Sequence, residues 1–152
     1  MSTTFSTDST ANATPLTLDS ALSAQVQVLG DALREKGWTV SSAESCTGGG
    51  VAFAFTSVAG SSDWFNQSWV TYSNDAKRSV LGVTEQTLKE YGAVSKQTVK
   101  EMAEGVRRKS GAQLVVTVSG IAGPGGGSEE KPVGTVWFGF LCGEHEVQIK
   151  QV

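Results

Sequence analysis

The stretch "QLVVTVS", residues 113 to 119, limits the folds open to this chain more than any other. Leu114, Val115, Val116 and Val118 leave it no polar face, and a β-branched run of that length fits a strand covered on both sides. Such a strand needs a helical layer on each side of its sheet. The rest of the chain supplies them. Leu22, Val26, Leu29 and Leu33 recur at helical spacing, with Asp19 or Ser20 as N-cap and Gly37 past the end. "WTVSS" predicts a short strand, the glycines after it a turn, and "GGVAFAFTSV" a buried helix. "QSWVTY" predicts a second strand, and Ser73 or Asn74 caps the helix "DAKRSVLG". Thr84 starts another helix that ends near Gly92. Ser95 caps a longer one in which Val99, Met102 and Val106 face inward and Gly111 closes the end. After the loop "GIAGPGGGSEEKP" comes the strand "VGTVWFGFL", and Gly143 turns the chain into "EVQIK". This order predicts an α/β fold, a three-layer α/β/α sandwich around a mainly parallel sheet with an antiparallel C-terminal hairpin.

At 152 residues and 39% hydrophobic content the chain buries enough surface for one domain. Residues 1–17, rich in Ser and Thr, have almost nothing to bury and predict a disordered tail ahead of a domain over residues 18–152. A net charge of -3, with no basic block longer than Arg107, Arg108 and Lys109, gives no footprint for nucleic acid or an anionic membrane. No apolar run approaches the roughly 18 residues of a membrane span, and the start lacks the pattern of a secretory signal. A cytoplasmic protein is expected. Cys46 and Cys142 show neither CxxC nor Cys/His spacing, so free thiols are expected and no metal site.

Chemistry gathers at "SSAESCTGGG", residues 41–50, where a strand should pass into a helix. A serine at such a corner, Ser45, presents its hydroxyl outward beside the unpaired amides and positive end of the helix. Gly48, Gly49 and Gly50 clear the approach, so the amides of Cys46, Thr47 or Gly48 can bind an oxyanion. The plainer alternative makes Ser45 an N-cap and the glycines a packing device. His145, the only histidine, falls in the turn "CGEHE", where a solvent-facing hairpin residue is the reading, so a Ser-His-Asp triad is not indicated. Lys77 is the base candidate: it lies in the first turn of a helix, whose positive end lowers an ammonium pKa. Its alternative is a solvated surface lysine. Tyr72 ends the preceding strand and can donate to Lys77 or to the attacked oxygen, stack on a flat substrate, or be an ordinary strand aromatic.

The loop from Gly120 to Pro132 follows the valine-rich strand at its C-terminal end, the edge where open α/β sheets bind ligands. Its free amides can form an anion nest, or the loop is simply mobile surface. Ser119 points a second hydroxyl at that edge, while Glu129, Glu130 and Lys131 can pair with one another or reach a ligand.

"AESCTGG" (43–49), "VTYSNDAK" (70–77), "GAVS" (92–95), "VSGIAGP" (118–124) and "GGSEEKPVGTVW" (126–137) together resemble the CinA C-terminal-domain family, over about residues 20–141. Stand-alone bacterial members of that family are nicotinamide-nucleotide amidases. The resemblance implies hydrolysis of the carboxamide of nicotinamide mononucleotide to nicotinate mononucleotide and ammonia, in pyridine-nucleotide salvage, with no cofactor and no metal. It places the nucleophile at Ser45, the general base at Lys77, and further motif residues at Tyr72 and Ser119. The implied substrate contacts are Cys46, Thr47, Gly48 and Gly49 at the corner and Gly120, Gly123 and Pro124 in the loop, either of which is a candidate phosphate site. A binding module without turnover and a Ser/Lys amidase for another small amide are the competing readings. Gly125 stands where many relatives carry a side chain, which loosens the loop. Relatives also continue through a glycine-Asp-Arg segment into a C-terminal helix, whereas this sequence stops at Val152; a partner subunit in a homo-oligomer is then expected to cover the apolar surface left bare.

Overall fold

The predicted strands and helices all form in the computed structural model, which describes residues 16–152. The expected tail lies almost wholly outside them; Leu16 and Thr17 are exposed and belong to no element. Helix α1 (Ser20–Lys36) begins where the Asp19 side chain accepts from Leu22 N at 2.9 Å and ends at Gly37. A cap of this kind stabilises a helix by about 1 kcal/mol. Strand β1 (Val40–Glu44) follows, then α2 (Gly50–Thr56), β2 (Phe65–Val70), α3 (Asn74–Leu81), α4 (Glu85–Tyr91) and α5 (Lys96–Ser110). The chain finishes through β3 (Leu114–Gly120), β4 (Val136–Cys142) and β5 (Gln148–Gln151). Ser73, Thr84 and Ser95 each cap the helix they precede, accepting from the amide three residues on.

The strands lie in the order β2-β1-β3-β4-β5. Strand β1 pairs in parallel with β2 and β3, and the two remaining pairings are antiparallel, so the expected hairpin is present beside a three-stranded parallel core. Helices α1 and α2 cover one face through Val26, Leu33 and Phe55, which pack with Val40 and Trp64. The opposite face carries α5, whose Val99, Met102, Ala103 and Val106 are fully buried against Ala43 and Val115. These two layers bury β3 as its composition predicts: Val115, Thr117, Val118 and Ser119 are all inaccessible or nearly so.

One expectation fails in part. Helix α2 is not a buried helix; only Phe55 is buried, because seven residues make two turns with one side on the sheet and the other toward solvent. A short 3-10 turn at Ser61–Asp63, unforeseen in the sequence, delivers Trp64 into the core. The parallel pairings bring the C-terminal ends of β1, β2 and β3 to one edge, with the start of β4 beside them, since Gly120 is opposite Val136. That edge is where ligands bind in such sheets.

Candidate active site

Ser45 sits one residue beyond β1. Its amide donates to Val118 O at 3.0 Å, and on the other side Thr71 N donates to Glu44 O at 2.8 Å, so both neighbouring strands hold the chain at the point where it turns. Ser45 is 7% exposed and is not the cap of α2; that position belongs to Gly49, at φ 105, a conformation suited to glycine. The N-cap alternative for Ser45 therefore fails.

Lys77, the fourth residue of α3, is turned inward and only 1% exposed, which excludes the surface-lysine alternative. Its Nζ lies 3.0 Å from Ser45 Oγ, 2.9 Å from Thr71 O and 3.0 Å from Tyr72 O. Burial lowers its pKa from the ordinary lysine value, because desolvation penalises the ammonium. At Cys46 the same cause, ahead of all others, pushes the thiol pKa up, which keeps it protonated and a poor rival to the serine.

The corner differs from expectation in one respect. Gly48 N donates to Ser45 O at 3.0 Å and is not free for a substrate, whereas the amides of Cys46 and Thr47 have no oxygen acceptor among the described residues and face only the Cys46 sulfur, a weak acceptor. Two donors remain for an oxyanion. Nor is the start of α2 open to an anion, because the fully buried Glu44 carboxylate accepts Val51 N at 2.8 Å and Ala52 N at 3.0 Å, together with Thr47 Oγ1 at 2.6 Å. Sequence reasoning missed Glu44, whose only signal was its place inside "AESCTGG".

A family model described as the CinA C-terminal domain matches residues 22–152. The chain belongs to that family. It is 64% identical over 112 residues, 74% of this chain and 68% of the relative, to the nicotinamide-nucleotide amidohydrolase PncC of Enterobacter agglomerans. Against the protein of the same description from Escherichia coli K12 the identity is 54% over 128 residues, 84% of this chain and 78% of the relative. The crystal structure of the competence/damage inducible protein CihA from Agrobacterium tumefaciens superposes with a TM-score of 0.86 at 43% identity, covering 91% of this chain and 83% of that one.

Within this CinA domain the other predicted site residues take different places. The backbone carbonyl of Tyr72, not its phenol, faces Lys77, and its ring is 70% exposed, so the expected phenol-to-lysine bond is not made. Ser119 Oγ, at the ligand edge, donates to Ala93 O at 2.8 Å and so anchors the "GAVS" segment. Gly120 is required by close approach: a Cβ there would stand 3.0 Å from Cys46 Sγ and 2.9 Å from Thr135 O. A Cβ at Gly123 would run into Val133, while Pro124 is exposed. The loop closes on itself through Ile121 N to Thr135 O at 2.9 Å and Gly134 N to Ile121 O at 2.8 Å. Lys131 makes no ion pair with Glu129 or Glu130; its Nζ donates to Tyr91 O at 2.6 Å, beside a cavity of about 340 Å³ lined also by Lys96 and Trp137. His145 is exposed, as its hairpin position implies.

Proposed function

We propose that this chain hydrolyses the carboxamide of nicotinamide mononucleotide to nicotinate mononucleotide and ammonia, in the cytoplasm and as a step of pyridine-nucleotide salvage. The observation that carries the reading is the 3.0 Å approach of a buried lysine amine to a serine hydroxyl; the similarity to two nicotinamide-nucleotide amidohydrolases supports the substrate.

In the neutral amine the two N–H groups bond to the carbonyls of Thr71 and Tyr72, which leaves the lone pair for Ser45 Oγ. Lys77 takes the serine proton as Oγ attacks the amide carbon, and the carbonyl oxygen becomes an oxyanion held by the amides of Cys46 and Thr47. Collapse breaks the C–N bond, and the proton on Lys77 passes to the departing nitrogen, releasing ammonia. Water, deprotonated by the same amine, then hydrolyses the acyl-serine. The positive pyridinium ring activates the carbonyl and discourages protonation of the nearby lysine, so it favours both roles. Tyr72 offers its exposed ring as a face for the base, and Ser119 shapes the site through Ala93 without touching the reacting atoms. The phosphate belongs on the Gly120–Lys131 side, because at α2 it would meet the Glu44 carboxylate.

The test is ammonia release from the mononucleotide by the wild type and by Ser45→Ala. Release that Ser45→Ala abolishes supports the reading. Tight binding without release by the wild type would leave only a nucleotide-binding module, and release from other small amides alone would move the substrate class.

A further inference from the structure

We infer that Glu44 is a positioning residue for the oxyanion-binding turn, a role that rests on the amidase reading above. Its side chain is wholly inaccessible to water and meets no cation among the described residues. A carboxylate buried without a counter-charge must be solvated by hydrogen-bond donors. All of its donors come from one place: Thr47 Oγ1 and Val51 N on Oε1, and Ala52 N on Oε2. The carboxylate thus performs for α2 the service an N-cap side chain performs elsewhere, and Gly49, the residue at the cap, has none to offer.

Supplying the cap from the strand has two consequences for the chemistry. First, one rigid group bonds both the first turn of α2 and the side chain of Thr47, so the residues between Ser45 and Gly50 are pinned at both ends. The Cys46 and Thr47 amides, which have no oxygen acceptor among the described residues, are held beside the serine before substrate arrives, and such preorganisation is what an oxyanion site requires. Second, the positive end of α2 is neutralised from within. The corner accepts a transient oxyanion at the two free amides but offers no resting place to a substrate phosphate or a free anion at the helix amides.

The test compares the wild type with Glu44→Gln, which keeps the shape but turns one acceptor into an NH2 that faces a donor. In the ammonia assay kcat should fall roughly 10²-fold, the scale of a slight misplacement of catalytic groups. KM should stay within about twofold, because the interaction matters in the transition state. A folded variant with unchanged kcat overturns the inference, as does a rise in KM at constant kcat. Should Glu44→Gln fail to fold, Thr47→Val removes only the 2.6 Å bond and leaves both helix amides capped. It is expected to lose about tenfold in kcat, with Thr47→Ser recovering most of the loss; equal losses in the two variants overturn the role. If the wild type itself releases no ammonia, the amidase reading falls separately, and amide hydrogen exchange across residues 46–52 still tests the brace. Glu44→Gln should speed that exchange, and an unchanged rate overturns it.

Discussion

Lys77 has three oxygen neighbours, and its protonation state decides how it uses them. An ammonium spends a hydrogen on each; an amine keeps two for the carbonyls and turns its lone pair on Ser45. Burial shifts the balance toward the amine by lowering the pKa below the ordinary 10.5. A base works only when unprotonated, so the rate should be lost as pH falls through that lowered value. The rate profile is expected to show an acid limb below 10.5. Lys77→Met and Lys77→Arg should each lose about 10²- to 10⁴-fold, the arginine variant because a guanidinium does not give up its proton. Near-wild-type turnover by Lys77→Arg would remove the lysine from the mechanism. Ser45 and Lys77 were legible in the sequence because a hydroxyl at a strand-to-helix corner and an amine at a helix start carry their chemistry in their side chains. Tyr72 was only half legible, since its visible contribution is a backbone carbonyl that any residue would supply. Glu44 was not legible, because its bonds to Thr47, Val51 and Ala52 exist only once α2 has folded back over the end of β1.

At the scale of elements the signals were local. Each helix start was marked by an Asp, Ser or Thr, or for α2 by glycine, and the ends of α1, α3, α4 and α5 by glycine, so the order of elements could be read without tertiary information. How closely elements approach was not readable. Gly105 lies in the middle of α5, where glycine is about 1 kcal/mol worse than alanine for the helix itself. A Cβ there would run into the carbonyl of Leu81 at the end of α3 and stand 2.9 Å from its carbon, and backbone atoms cannot swing aside as a side chain can. Overpacking of this kind costs about 1–3 kcal/mol and exceeds the propensity gain. Gly105→Ala should therefore lower stability by about 1 kcal/mol, read as a drop in the urea midpoint. It should also slow turnover, because the displaced helix is the one that carries Lys77. A more stable Gly105→Ala would mean that α3 and α5 are not in close contact.

For the whole molecule, a buried lysine is a burden on folding, and the burden has a definite pH dependence. The folded pKa of Lys77 is lowered, so between that value and 10.5 the unfolded chain holds a proton that the folded chain has released. Stability rises with pH wherever the unfolded state binds more protons, so across this interval the cost of desolvating the lysine is progressively lifted, and below it the cost is constant. Cys46 acts in the opposite direction. Its folded pKa lies above 9.0, so from 9.0 upward the unfolded chain loses the thiol proton first and stability falls with pH. The Lys77 charge also acts on the Cys46 thiol, so comparison with Lys77→Met isolates the amine below 9.0, where that thiol stays protonated in both proteins. The methionine leaves the carbonyls of Thr71 and Tyr72 without their donor, a penalty that does not titrate and drops out of the slope. Urea unfolding of both proteins from about pH 6 to about pH 9 should therefore show the wild type gaining on Lys77→Met as pH rises. Parallel curves would mean that the lysine titrates alike in the folded and unfolded chain, and the amine would then have no desolvated site from which to act on Ser45.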